Sequence, residues 1–584
     1  MTTATITSVS GPVLKARVEK PFQIGEAVRV GERELMGEVI RIQGEEIVVQ
    51  VYEDTSGLRP GATVLGNGVP LAVRVGPHLL GGIFDGLLRP LTGMDSAYIE
   101  PGSVNTPPRV LPFESGVSEG DVLSEGMRFG QVETFGAKSV PCLVPPGVGG
   151  KVARIAPGGE YAQDETLCWL DDHDRGSIEL AMSHVWPVRK PRPIAERLPV
   201  AGPMLTGQRI LDAFFPVAQG GKATLPGGFG TGKTVLQESL AKWCDADVIV
   251  YVGCGERGNE MSGVLHEFPQ LEDPRTGRPL MERTVLIANV SNMPVAAREA
   301  STYTAVSVAE YFRDQGLHVA LMADSTSRWA EALREISGRL GELPAESGYP
   351  AYLSSRLAEF YERAARVRTL SGDEGSVTII GAVSPAGGDF SEPVTTHTKR
   401  YVRTFWALDS ARAHARFYPA IHPLQSYSED VDALAAWWQA RGDPHWSETR
   451  RRFLTLLQQQ ARLERMARIV GKDALPMRQQ LVLLCAQVVS EGFLRQSAIS
   501  PVDRYCSPER QVRMMRLLVR FIDLAEKAVE VGASAEELSS LSVVRGLQRM
   551  GEEIPEGRLD QFDLLQEQLE ADFAAWTRVS ANVR

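Results

Sequence analysis

At 584 residues the chain exceeds what one hydrophobic core organises, and roughly three or four domains are expected. Hydrophobic residues at 43% and charged residues at 23% describe an ordinary globular protein. A formal net charge of −11, with both signs interspersed, argues against a nucleic-acid backbone as the main partner.

Residues 1–70 read as short strands and predict a small N-terminal β-barrel. Thr5-Ile6-Thr7-Ser8-Val9 and Glu38-Val39-Ile40-Arg41-Ile42 alternate as half-buried strands do, and Ile47-Val48-Val49-Gln50-Val51 is rich in β-branched residues. Between about 110 and 190 the texture changes to Gly/Pro-rich turns around short apolar pieces. Val144-Pro145-Pro146-Gly147-Val148-Gly149-Gly150 excludes a helix or a central strand there, and the stretch reads as a β-rich insertion. From about 200 to 430, apolar strands at 222–225, 248–252, 284–290, 319–323 and 376–380 alternate with helical stretches such as 234–243, 295–313 and 349–365. That alternation predicts a mainly parallel sheet covered by helices on both faces. Beyond 430 the apolar spacing is helical, as in Met514-Met515-x-Leu517-Leu518-x-x-Phe521, and the methionines belong to a core stripe. With the Gly-rich loop Gly227–Thr234 set between the strand at 222–225 and the helix at 234–243, the fold class is an α/β P-loop core with an N-terminal β-barrel, a β-rich insertion and a C-terminal helical domain. The expected domains are 1–70, 71–430 with the insertion at about 110–190, and 431–584.

The six cysteines (Cys142, Cys168, Cys244, Cys254, Cys485, Cys506) form no Cys-x-x-Cys pair and read as reduced, mostly buried thiols of a cytosolic protein. The nine histidines show no metal-ligand spacing. The opening Met1-Thr2-Thr3-Ala4-Thr5-Ile6 lacks the regions of a signal peptide, and no apolar run approaches the roughly 20 residues of a membrane span. Work at a membrane would need another component as anchor.

Gly227-Gly228-Phe229-Gly230-Thr231-Gly232-Lys233-Thr234 matches Gly-x-x-x-x-Gly-Lys-[Ser/Thr]. Its glycines let the backbone wrap a phosphate with N–H groups aimed at the oxygens, and the following helix adds the positive end of its dipole. Lys233 is expected on the β- and γ-phosphates and the Thr234 hydroxyl on Mg²⁺. Such a site also needs an acidic residue at a strand end for the metal. His318-Val319-Ala320-Leu321-Met322-Ala323-Asp324 supplies Asp324, with capping of the next helix as the bland alternative. Hydrolysis requires a group to polarise water, and Glu256, after the apolar run 248–254, is the best-placed carboxylate. Arg257 is placed to meet charge building on the γ-phosphate. On the residues alone, an exposed Glu–Arg pair in a loop remains an equal reading of these two.

Three strings around these positions, Gly253-Cys254-Gly255-Glu256-Arg257-Gly258-Asn259-Glu260, Ser291-Asn292-Met293-Pro294-Val295-Ala296-Ala297-Arg298-Glu299 and Asp324-Ser325-Thr326-Ser327-Arg328-Trp329-Ala330-Glu331-Ala332, resemble the catalytic A subunit of archaeal/vacuolar-type rotary ATPases. So do Gly348-Tyr349-Pro350-Ala351-Tyr352-Leu353, Asp389-Phe390-Ser391-Glu392-Pro393-Val394-Thr395, Val144-Pro145-Pro146-Gly147 in the insertion and Gly471-Lys472-Asp473-Ala474-Leu475-Pro476 in the helical part. The resemblance runs through nearly the whole chain. The insertion separates it from the non-catalytic B-type and the catalytic F-type subunits, which lack it.

What the resemblance implies is a catalytic subunit with ATP and ADP as substrate and product and Mg²⁺ as cofactor. Three copies alternate with three B-type subunits around a central rotor shaft, with peripheral stalks and a membrane sector conducting H⁺ or Na⁺, at the cytoplasmic face of the membrane. It makes Glu256 the residue orienting the water, Arg257 a phosphate contact and Arg328 a residue near the site. Phe229, Tyr418 and Tyr505 fall where the family places aromatics around the adenine. Two positions depart from the family pattern: Gly228 stands where Pro is usual, and Ile421-His422-Pro423 where Ile-Asn-Trp is usual. Eukaryotic relatives carry a P-loop cysteine at the position of Thr231, able to form an inhibitory disulfide with the match of Cys506; this chain has only the second. The rival readings are an RNA-translocating hexameric motor, disfavoured by the acidic charge and the lack of an aromatic–basic platform, a nucleotide-binding subunit without activity, and a type III secretion ATPase, disfavoured by the insertion.

Overall fold

Alternating apolar residues near the amino terminus close into a six-stranded barrel. In the computed structural model, which describes residues 2–91, 101–102, 108–134, 139–471 and 474–582, strands β1 (Thr2–Ser10), β2 (Val13–Val18), β3 (Glu26–Val30), β4 (Leu35–Gln43), β5 (Glu46–Val51) and β6 (Thr63–Pro70) pair in the order β1-β2-β5-β4-β3-β6. Val28, Val30, Leu35, Val39, Ile47, Val49, Val51 and Val64 point inward and are buried. Each such side chain is worth about 1.5–3 kcal/mol on leaving water. Closure also removes the edge strands that an open sheet would leave unpaired. Met1, and Lys472 and Asp473 of the helical-domain string, lie outside the described residues.

The described chain falls into two compact units. The first comprises the described residues of Met1–Pro199, Gln219–Thr224 and Ala246–Val402; the second comprises those of Val200–Ala218, Leu225–Asp245 and Arg403–Arg584.

Besides the barrel, the first unit holds the insertion as two four-stranded sheets. One contains Val122–Leu123, Gly150–Ile155, Thr166–Asp172 and Gly176–Ala181; the other contains Val110–Ser115, Arg128–Glu133, Ser139–Leu143 and Gly159–Ala162. Residues 144–149 carry neither helix nor strand, as the two prolines require. Glu125 accepts from the Gly147 amide at 2.7 Å and Arg175 donates to the Gly147 carbonyl at 2.8 Å, satisfying a backbone that has no ladder.

The same unit contains a parallel sheet whose central strands are Glu374–Val383, His318–Asp324, Val248–Cys254 and Thr284–Asn289. Their residues are almost all buried, as strands covered on both faces should be. The short strand Ile83–Phe84 extends it in parallel beside Thr284–Asn289. Helix Val295–Arg313 is buried along nearly its whole length. The expected helix at 349–365 is shorter, Leu353–Tyr361. Gly348 turns at φ +80° and Tyr349 is extended before Pro350, while Ala365–Arg368 pairs antiparallel with Glu374–Val383 and so leaves the helix early.

The second unit is mainly helical. Trp446–Val470, Met477–Val489, Pro508–Glu530, Ser542–Glu553 and Gln561–Asn582 are its longer helices beyond residue 440. Met514, Met515, Leu518 and Phe521 are all fully buried, confirming the stripe as core. This unit also carries the loop 227–232 and its helix.

Candidate active site

In the second unit the P-loop is shaped by its own side chains. Gly230 and Gly232 sit at φ +75° and +81°, a region other residues avoid. A Cβ on Gly227 would lie 2.7 Å from both the Leu408 Cδ1 and the Thr231 Oγ1. Buried Thr231 donates from its hydroxyl to the Gly228 carbonyl at 2.8 Å, stapling the loop across three residues. Helix Lys233–Trp243 then begins on Gly232, a glycine that has no side chain with which to cap it. That is the arrangement in which a helix N-terminus receives an anion.

Tyr418 borders this loop: its Cε1 lies 3.4 Å from where a Cβ on Gly232 would stand, and it is half exposed. Phe229, at the loop's tip, is 86% exposed. Tyr505 is placed differently. Its ring stacks on Trp243, the last residue of the P-loop helix, at 5.3 Å and 29°, and a Cβ on Gly207 would stand 2.3 Å from its Cδ2. Burial first, and then nearby carboxylates, push its hydroxyl pKa up. Gln496, which nothing in the sequence singles out, ties these pieces together. Its amide donates to the Tyr418 carbonyl at 2.8 Å, while its side chain donates to the carbonyls of Gly207 and Asp503 and accepts from the Arg209 amide.

In the first unit the parallel register brings the carboxylates together. Val248–Cys254 runs beside His318–Asp324 with Gly253 opposite Asp324, so Asp324 and Glu256 leave neighbouring strand ends. Asp324 is 3% exposed, and its Oδ2 accepts from the Tyr251 hydroxyl at 3.2 Å. It does not cap the following helix: the cap position of Thr326–Arg339 is Ser325. Glu256 is 9% exposed with Oε1 shut off from solvent and without a hydrogen-bond partner among the described residues. The exposed Glu–Arg pair is therefore excluded for Glu256. Arg257, by contrast, is exposed at the start of helix Gly258–Glu267. Arg328 donates to both oxygens of Glu331 at 3.0 and 2.9 Å. Burial works to lower its pKa, but that hydrogen bond and the charges of Glu331, Glu256 and Glu260 outweigh it and raise it. The partnership of Tyr251 with Asp324 has no signal in one sequence, since it depends on strand register.

Family models match in four consecutive blocks: the ATP synthase alpha/beta family β-barrel domain at 6–68, its barrel-sandwich domain at 109–189, its nucleotide-binding domain at 207–428, and the C-terminal domain of V and A type ATP synthase at 435–538. The chain is 51% identical over 553 residues to the A subunit of the A-type ATP synthase of Methanopyrus kandleri, covering 93% of each. It belongs to the catalytic A-subunit family of A/V-type ATP synthases. The V-type ATP synthase alpha chain of Halothermothrix orenii is 48% identical over 97% of each chain. The corresponding A subunit of the Thermococcus kodakarensis A-type synthase is 51% identical over 93% of this chain and 94% of its own. The ATPase EscN of the enteropathogenic E. coli type III secretion system shares the fold, with a TM-score of 0.63 at 22% identity, over 88% of this chain and 100% of that one.

Family membership establishes a catalytic subunit of a rotary ATP synthase that binds ATP and ADP and hydrolyses or makes ATP. It places the chain in a multi-subunit assembly and decides against the inactive-subunit, RNA-motor and secretion-ATPase readings. No helix among the described residues is long and apolar enough to cross a membrane.

Proposed function

We propose that ATP chemistry in this subunit is divided among a few named side chains. Gly227, Gly228, Gly230, Thr231 and Gly232 wrap the phosphates, Lys233 neutralises the β- and γ-phosphates, and Glu256 orients and polarises the attacking water. Arg257 meets the charge of the γ-phosphate, with Arg328 near it, and Phe229, Tyr418 and Tyr505 flank the adenine. Burying a carboxylate oxygen with no donor costs about 1–3 kcal/mol. The fold keeps Glu256 in that state at the end of a buried strand, and this is the observation that carries the reading.

Mg²⁺ fits the donor chemistry. It prefers hard oxygen ligands and is usually held by one or two protein groups with waters and phosphates completing the shell. Thr234 would supply a hydroxyl and Asp324 a carboxylate, and among the described residues no cluster of three or more His, Cys, Asp or Glu offers a denser cage. When bound, the ion offsets phosphate charge.

The partner is a B-type non-catalytic subunit that alternates with this one in a hetero-hexamer around a central shaft. Peripheral stalks hold it, and the membrane sector moves H⁺ or Na⁺, with this subunit on the cytoplasmic face. The domain division at about 70 and 430 belongs to the same reading. An arginine lent by a neighbouring subunit typically contributes about 10³–10⁵ in rate. The full chain alone should therefore bind a fluorescent ADP analogue yet hydrolyse ATP slowly, and adding the B-type partner should raise turnover by at least about 10³. Fast ATPase activity from a verified monomer would refute the shared site.

A further inference from the structure

We infer that Arg298 is a positioning residue that fixes the backbone from which Glu256 projects; the inference rests on Glu256 orienting the water. Glu256 follows Gly255, which turns at φ +74° as the chain leaves strand Val248–Cys254. Beyond that turn the neighbouring chain segment holds the backbone. The Gly255 amide donates to the Asn289 carbonyl at 2.6 Å, and the Glu256 carbonyl accepts from the Ser291 amide at 3.0 Å. Whatever fixes residues 289–291 therefore fixes Glu256.

Arg298 does this from three directions. Its Nη2 donates to the Ser291 carbonyl at 2.9 Å, so the residue that holds Glu256 is itself held by the guanidinium. Its stem packs on the turn: a Cβ on Gly255 would lie 2.8 Å from Arg298 Cδ and 2.9 Å from Nε. Its own carbonyl accepts from the Cys254 thiol at 3.4 Å, tying it to the strand that Glu256 leaves. The base of the arginine is rigid, because Arg298 lies in the first turn of the buried helix Val295–Arg313.

The energetics favour a purpose for this placement. Arg298 is 8% exposed, forms no ion pair among the described residues, and leaves Nε buried without an acceptor. A buried guanidinium so poorly compensated is expensive, and an apolar residue would fill the same volume at less cost. Only a planar, branched cation spans the turn and reaches the Ser291 carbonyl together. Gly255 completes the clamp, since any side chain there would meet Arg298 on one side and the Arg328 Cβ, at 2.7 Å, on the other.

The test is a double-mutant cycle in the assembled complex, with kcat, KM for MgATP and assembly measured on Arg298→Ala, Glu256→Gln and the double variant. Misplacing a catalytic group by about an ångström costs on the order of 10²-fold, so Arg298→Ala should lower kcat by about 10- to 100-fold with KM changed less than about threefold. In the Glu256→Gln background the same change should cost less than about twofold, because there is no carboxylate left to aim. Arg298→Lys, which keeps the charge and part of the reach, should recover part of the rate and show the same non-additivity. It carries the test if the alanine variant does not assemble. Losses that multiply in the double variant, or kcat and KM worsening together, overturn the inference. So does Glu256→Gln being slow while Arg298→Ala and Arg298→Lys turn over normally. If Glu256→Gln itself keeps normal turnover, the Glu256 reading has failed first, and that outcome is distinct from the others.

Discussion

Replacing Gly227 with alanine should weaken nucleotide binding through the loop's internal packing, since it removes no side chain or amide group that would reach a phosphate. The backbone of Gly227 is outside the left-handed region, so alanine meets no conformational penalty. Its Cβ would instead stand 2.7 Å from Leu408 Cδ1 and 2.7 Å from Thr231 Oγ1. Leu408 cannot withdraw easily, because its amide donates to the Pro226 carbonyl at 2.8 Å, one residue from the substitution. Thr231 must then turn and lose its 2.8 Å bond to Gly228. Overpacking of this kind costs about 1–3 kcal/mol and the lost hydrogen bond about 0.5–1.5 kcal/mol. At about 1.4 kcal/mol per decade, the sum corresponds to roughly 10- to 10³-fold weaker binding. The assay is calorimetric or fluorescence titration of the full chain with an ADP analogue, with thermal unfolding followed in parallel. Thr231→Val keeps the volume and removes only the hydroxyl, so it should cost about 2- to 10-fold. Binding by Gly227→Ala within twofold of the parent, or equal losses in the two variants, would refute this packing argument.

Lys233→Ala should reduce hydrolysis in the assembled complex by about 10³-fold or more, since a charge-assisted contact to the transferring phosphate is removed; near-normal turnover would displace the site from the P-loop. Mild oxidants should leave ATPase activity unchanged. Burial pushes the thiols of Cys254 and Cys506 up to about 11 and about 12, so thiolate is scarce near neutral pH. Thr231→Cys should introduce reversible, reductant-rescued inhibition through Cys506. Strong reversible inhibition of the parent that Cys506→Ser abolishes would contradict this.

Features that depend on residue periodicity were legible in the sequence. The barrel's alternation and the Met514–Phe521 stripe follow from period-two and period-3.6 spacing, and the buried strands at 248–254 and 318–324 from continuous apolar runs. So was the strand-end position of Asp324, because a carboxylate directly after an unbroken apolar run marks where a buried parallel strand emerges at its carboxyl end. Long-range geometry was not legible. Gln496 is a polar residue after a helix in the sequence and a hydrogen-bonding hub in the fold, and nothing local distinguishes the two. Tyr251 reaches Asp324 only through strand register, and Tyr505 stacks on Trp243, 262 positions away by their residue numbers. The helix expected at 349–365 failed at both ends because Gly348 and the 365–368 strand pairing outweigh the apolar spacing.

Glu256→Gln separates binding from chemistry and so isolates what the carboxylate does. The carboxylate makes no side-chain hydrogen bond with a described residue through its buried Oε1, so an amide of the same shape disturbs little of the fold. MgATP binding and single-turnover hydrolysis should be measured on the same assembled complex. Binding should stay within about threefold of the parent while hydrolysis slows by about 10²-fold or more, the scale of losing a general base. Binding and hydrolysis falling together, or hydrolysis persisting at the parent rate, would contradict this.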